Sequence, residues 1–481
     1  MKTFLKNYRW KELGLFVIPF MILLVGMMQL PLAHFYETQL NTTTKAVPFS
    51  LAILPTVSAL IPIIGLIVVL VIVNVVFSIF FPKADQILLP LVGLMSGIGV
   101  LMATRLQSVA AVGDPNLGTR QLVWVIVGLV VCILTLAGLR RMGWLRRYKY
   151  TWAALGILLV AVTLINAFRV RNLNAPTHDQ LNFGPLNLQP SELLKIFIVI
   201  FFAGFLSDNI DVIRENIFLV GPFRLPLIGR TVTLRLPPLM QLGPIALMLG
   251  ISLVLFLGIR ELGLALLIYG IFLVMIYLGS GKLSYVVVSL IVFFVLGFIG
   301  YKLFTYVQDR FTALSIDPTK CQQWGPSCPQ QLAQGSAFQI LQGLIALSSG
   351  GILGTGIGLG HAGAFVPVVV SDMIFTQIGE ELGLAGLFAI IGLYLLILYR
   401  GYRIAIEASD SFNQLLAAGL TSIFAIQSLI IILGNMKFLP LTGIPLPFLS
   451  YGGSSIIANY IIIGILLRIS HITAVEREAA G

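Results

Sequence analysis

Twelve apolar runs, each roughly 18–25 residues and so long enough to cross a bilayer, dictate what this chain can become. They lie near 13–34, 56–81, 86–105, 121–139, 150–168, 190–207, 238–258, 261–279, 283–304, 373–399, 412–434 and 451–469. Backbone in lipid must satisfy its own N–H and C=O groups, which leaves helices or a closed barrel. The runs lack the period-2 alternation of barrel strands, so each is read as a helix. Composition agrees: 58% of the 481 residues are hydrophobic and only 10% are charged, against about 25% charged in a soluble protein. The expectation is an all-α polytopic membrane protein with one membrane domain and about twelve spans. Lys2, Lys6, Arg9 and Lys11 precede the first run in the manner of a signal peptide. That run is too long and lacks a convincing small-residue cleavage site, so it is read as an uncleaved helix.

Lys and Arg placement orients the bundle. With the N-terminus inside, the inner loops collect Arg140, Arg141, Arg146, Arg147, Lys149, Arg214, Arg224, Arg230, Arg235, Arg400 and Arg403. Most of the 30 basic residues fall on that side, and both termini lie in the cytoplasm. The net charge of +11 is thus a topology signal that suits anionic lipid headgroups, not nucleic acid. Cys132, inside a span, is an inert packing residue. Cys321 and Cys328 share the long outer loop in KCQQWGPSCP, where an oxidising exterior permits a disulfide. Two free thiols are the alternative that spacing leaves open. A zinc site has neither a CxxC nor a nearby His pair to build on.

Two loops stand out. The inner loop near 208–237 mixes Arg, Pro and apolar residues and is expected along the inner surface. The outer loop near 305–372 contains a short helix, Ala337 to Leu347, then the glycine-rich GILGTGIGLG. No Gly-Lys-Ser/Thr follows, so those glycines are not a nucleotide loop.

Ionisable residues at span edges carry the functional signal. In QPSELLK, Gln189 to Lys195, Pro190 opens a helix and Glu192 shares a face with Lys195. The pair is either a self-neutralising clip or the charged wall of an outward-facing cavity. Asp372 sits at the outer end of the tenth span, as a simple N-cap or as a reactive carboxylate. Thr376, Glu380 and Gly383 follow on nearly the same face, and Glu380 and Glu381 are read as serving helix packing. Glu261 opens the eighth span beside Arg260, where a surface ion pair is the plain alternative. SYGGSS, Ser450 to Ser455, opens the twelfth; its free N–H groups suit a diphosphate, and its glycines equally suit close helix packing. No HExxH, Ser–His–Asp or CxxC arrangement occurs, and the four His are dispersed. Carboxylates and anion binding must therefore do any chemistry.

These segments, in this order, resemble the SEDS family (shape, elongation, division and sporulation; RodA-, FtsW- and SpoVE-like glycosyltransferases). RQLVWVIVGL (Arg120 to Leu129), QPSELLK, ELGLALL, GSAFQILQGLIAL, GTGIGLG, SDMIFTQIGEELG and PLPFLSYGGSS carry the resemblance over about 86–470. It implies a ten-helix core at 86–470, two added helices in 1–85 and a short cytoplasmic tail at 471–481. Asp372 matches the family's catalytic acid in P-E-x-x-T-D, although Val368 replaces the Glu after Pro367. Glu192 and Lys195 match cavity residues, and Glu261 stands for an Asp. Gln189, Arg310, Gln339, Gln342, Ser450, Gly452 and Gly453 complete the implied substrate cavity.

The resemblance further implies a peptidoglycan glycosyltransferase in the bacterial plasma membrane, joining polyprenyl-diphosphate-linked disaccharide-peptide units (lipid II) at the outer leaflet for elongation or division. A class B penicillin-binding transpeptidase is the implied partner. No cofactor is certain; a divalent cation, Mg or Mn, is one source of positive charge for the leaving diphosphate, with no metal ligands assigned. A precursor flippase and a noncatalytic scaffold are the alternatives.

Overall fold

The computed structural model describes residues 8–41, 60–107, 109, 114–169, 181–183, 186–215, 218–224, 231–236, 239–315 and 335–480. In chain order the helices begin with α1 Trp10–Leu15, α2 Val17–Asn41, α3 Ile61–Phe80, α4 Leu88–Leu106, α5 Leu117–Gly138 and α6 Gly143–Arg147. Next come α7 Lys149–Arg169, α8 Ser191–Asp208, α9 Ile210–Glu215, α10 Leu239–Gly258, α11 Leu262–Ser280 and α12 Leu283–Leu303. The last are α13 Thr305–Ser315, α14 Gly335–Ser349, α15 Ala362–Phe365, α16 Ile374–Glu407, α17 Ser411–Asn435 and α18 Gly453–Ala480. Two antiparallel hairpins lie outside the apolar runs: β1 Leu181–Phe183 with β2 Leu186–Leu188, and β3 Phe218–Arg224 with β4 Thr231–Leu236.

Among the described residues, ten helices are long and apolar enough to cross a membrane. The other two expected runs are helical as well. Helix α8 carries Glu192, Lys195 and Asp208, and the apolar stretch of α10 is the shorter Gly243–Gly258. Residues 471–480, expected as a tail, continue α18 as helix.

The chain divides into two units. The first holds Met1–Arg140, Thr312–Gly401 and Gln427–Gly481. Small residues let its helices approach closely, as bilayer packing requires. A Cβ added at Gly128 would strike the Tyr460 ring, and one at Gly464 would lie 2.9 Å from Cys132 O, so α5 and α18 nearly touch backbones. Tyr460 then reaches Ser96 of α4, its hydroxyl 2.8 Å from Oγ. Helices α2 and α3 rest on the glycine face of α4: Leu23 covers Gly97, and Leu70 covers Gly93. Before α1, the buried Arg9 pairs with Glu12 and donates to Phe81 O (3.1 Å) and Asp85 O. Asp85 accepts from the Ile87 and Leu88 amides (2.8 and 3.0 Å), opening α4, and pairs with Arg400.

The second unit holds Arg141–Phe311 and Tyr402–Ile426. Helix α8 packs on α7 where Leu194 and Phe197 cover Gly156. Phe202 meets Phe272 of α11 edge-on at 6.0 Å. Asp208, one residue past the apolar run of α8, pairs with Lys149 and Arg146. Burial alone would raise its carboxyl, but hydrogen bonds from those two cations outweigh it and hold it below its ordinary value.

Candidate functional site

Asp372 sits in a turn before α16, which begins at Ile374. The expected cap is therefore displaced. Met373 O closes the first turn, accepting from the Thr376 amide at 3.0 Å, and Ser371 Oγ donates to Asp372 Oδ1 at 2.9 Å. The turn contains Val368 at φ +55°, a costly conformation for a β-branched residue. Gly443 of the Pro- and Gly-rich segment is its neighbour: a Cβ there would lie 3.9 Å from Asp372 Oδ2.

The first unit thus brings three expected groups together. Ser450 Oγ donates to Ser371 O and accepts from the Leu446 amide at 2.7 Å. The Tyr451 amide donates to Val370 O at 2.8 Å. Gln339 of α14 donates to Pro367 O at 3.1 Å, while Gln342 is half-buried on the same helix. From α5, Gln121 donates to Ser450 O at 3.2 Å, and the Trp124 ring covers Gly453. Gly452 and Gly453 are half-buried at the start of α18. Ser450 and Gln339, expected to line the cavity, spend these hydrogen bonds on loop backbone.

One layer beyond lies a feature the periodicity hid. Helix α16 breaks at Gly383 (φ 66°, ψ −167°). The glycine-rich loop takes over the lost hydrogen bonds. Thr355 and Gly356 amides donate to Glu380 O and Glu381 O (2.9 and 3.0 Å), and the Leu384 and Ala385 amides donate to Gly351 O and Ile352 O (3.0 and 3.1 Å). Glu380 carboxylate accepts from the His361 and Ala362 amides at 3.0 and 2.7 Å. Glu381 accepts from Gly358 N (3.2 Å) and Gln377 Nε2 (2.6 Å) and pairs with Arg105 at 3.2 Å. Both glutamates pack the loop through hydrogen bonds. Arg105 is not singled out by the sequence: as a cation ending an apolar run it signals that a buried partner exists, but not that the partner is Glu381.

In the second unit, Lys195 Nζ lies 2.6 Å from Glu192 Oε2, and both side chains are buried. The i,i+3 pair forms as the spacing requires. Gln189 is half-buried just before Pro190. Glu261 is the N-cap residue of α11 and is buried, so a surface pair with Arg260 does not describe it. Arg310 of α13 is half-buried. Burial raises the Tyr306 hydroxyl, opposed by the Arg310 and Arg260 charges, and that hydroxyl donates to Leu257 O at 3.2 Å.

Cys321 and Cys328 lie outside the described residues. Among the described residues, no three His, Cys, Asp or Glu side chains group to hold a metal ion.

The sequence profile of the Cell cycle protein family, which groups FtsW, RodA and SpoVE, matches residues 85–474. This chain belongs to that family. The peptidoglycan glycosyltransferase RodA of Mycobacterium leprae is 35% identical over 401 residues, covering 82% of this chain and 79% of the relative. Stage V sporulation protein E of Bacillus subtilis is 30% identical over 352 residues, 73% of this chain and 86% of that protein. Among solved structures, a chain of a peptidoglycan synthase complex aligns with TM-score 0.58 at 22% identity, covering 81% of this chain and 98% of that one. RodA of Thermus thermophilus gives TM-score 0.52 at 21% identity over 80% and 96%. At those identities the structural likeness is one of fold, and the FtsW/RodA/SpoVE fold is that of a multi-pass membrane protein.

Proposed function

We propose that the protein is a peptidoglycan glycosyltransferase that polymerises polyprenyl-diphosphate-linked disaccharide-peptide at the outer leaflet of the bacterial plasma membrane. Family membership supports the reaction class, since the relatives above include enzymes named for it. The observation that carries the residue assignment is Asp372, in a turn braced by hydrogen bonds from Gln339, Ser450 and Tyr451. Preorganised groups of this kind lower a barrier without reorganising during the reaction.

In the reaction the acceptor sugar hydroxyl attacks the anomeric carbon of the growing chain. A new C–O bond forms, the bond to the diphosphate breaks, and the diphosphate departs with the electron pair. Asp372 takes the hydroxyl proton as general base. Backbone N–H groups at Gly452 and Gly453 receive the leaving anion at the start of α18. Glu192, Lys195, Gln189, Glu261, Arg310 and Gln342 are assigned to substrate handling. A divalent cation would enter with the diphosphate as part of the substrate. The chain crosses the membrane twelve times with both ends cytoplasmic; residues 86–470 are the catalytic core and 1–85 an addition. A class B penicillin-binding transpeptidase is the proposed partner, in keeping with a fold shared with a chain of a peptidoglycan synthase complex.

Purified protein incubated with lipid-linked precursor tests this. Wild type forms glycan polymer, and Asp372→Ala lowers the rate by at least about 100-fold, the scale of a general base. Polymer at the wild-type rate from that variant removes Asp372 from the role. Precursor crossing vesicles without polymer would make the protein a transporter.

A further inference from the structure

Three consecutive carbonyls of the Asp372 turn are each taken by a different donor. Val370 O accepts from the Tyr451 amide at 2.8 Å, and Ser371 O accepts from Ser450 Oγ. Asp372 O accepts from Asn435 Nδ2 at 3.0 Å. Asn435 is the last residue of α17 and is 1% exposed. Its other N–H goes to Ile431 O at 2.9 Å, one turn back in the same helix. One amide group therefore clamps the Asp372 main chain to a helix end.

The remaining atom of Asn435 makes the residue informative. Its Oδ1 is buried with no hydrogen-bond partner in the protein. A buried acceptor left unpaired costs stability, and an apolar side chain would fill the same space without that cost. Packing alone does not account for an asparagine here. What Asn supplies and an apolar residue cannot is the N–H aimed at Asp372 O. The turn it holds includes the left-handed Val368, so its backbone depends on outside restraint.

We infer that Asn435 is a positioning residue for Asp372, acting with Ser450. The two fix the peptide units on either side of the Asp372 Cα, and so fix where the carboxylate meets the acceptor hydroxyl. The inference rests on the general-base reading of Asp372. Neither residue need touch substrate for this effect. A base displaced by a fraction of an ångström loses rate while substrate still binds, so the signature is a fall in kcat with KM unchanged.

The test is steady-state polymerisation of lipid-linked disaccharide-pentapeptide by the purified full-length protein, with thermal melting followed on the same samples. Asn435→Ala is expected to lose about 10- to 100-fold in kcat with KM within about twofold of wild type. If that variant does not fold, Ser450→Ala and Ser450→Thr decide. Thr keeps the hydroxyl and is expected to hold kcat within about threefold, whereas Ala falls as Asn435→Ala does. Asn435→Ala combined with Asp372→Ala is expected to be no slower than Asp372→Ala alone. Folded Asn435→Ala at wild-type kcat, a change confined to KM, or equal losses in Ser450→Ala and Ser450→Thr would overturn the inference. If Asp372→Ala itself polymerises normally, the failure is that of the general-base reading.

Discussion

Arg105 and Glu381 come together from helices far apart in sequence, 3.2 Å between Nε and Oε1, with side chains 9% and 0% exposed. Arg105 also donates to Gly360 O at 2.9 Å. Removing one member of such a pair strands the other charge. Arg105→Met or Glu381→Met alone is expected to destabilise the protein by about 3–5 kcal/mol, and the double variant by less than either single. Melting of the purified variants in detergent checks this; additive losses would mean that the two charges do not depend on each other. The site carboxylates divide by the same logic. Glu380 and Glu381 are committed to loop amides, while Asp372 stands in a turn whose backbone is held by others. That difference is consistent with the general-base role proposed for Asp372.

Helix α16 shows how an element can look continuous in sequence and break in space. Its apolar run reads through Gly383 without interruption, because hydropathy does not register a dihedral angle. The φ/ψ pair there belongs to a region open essentially to glycine, and an added Cβ would strike Gly354 N. Gly383→Ala is expected to cost at least about 1–3 kcal/mol in backbone strain, before the clash is counted. The measurement is again a melting midpoint; an unchanged value would show that the break is dispensable. The break also explains why the glycine-rich loop folds back as it does. Four backbone groups left unpaired at the kink find partners in that loop, as buried main-chain polar groups require. The short helix expected at Ala337–Leu347 is longer by two residues at each end, α14 running from Gly335 to Ser349.

The proposed twelve-span topology, with both ends cytoplasmic, is a statement about the whole molecule that labelling can check. With Cys321 and Cys328 replaced by Ser, Thr312→Cys is expected to react with a membrane-impermeant maleimide in intact cells. Ala479→Cys is expected to react only after permeabilisation. Labelling of Ala479→Cys in intact cells would invert or recount the bundle.

Hydropathy and span length alone established a helical membrane protein, because a lipid solvent leaves a backbone so few choices. Short motifs marked Asp372 and the Glu192–Lys195 pair, since charge at a span edge is expensive wherever it occurs, and SYGGSS, since a glycine-rich helix start leaves N–H groups free. Asn435, Arg105 and the break at Gly383 needed the tertiary structure. Asn435 meets Asp372 across 63 positions of chain and Arg105 meets Glu381 across 276, so no local pattern could record either contact. What holds the candidate base in place is decided by which distant donors reach three adjacent carbonyls, a property of packing and not of any segment's composition.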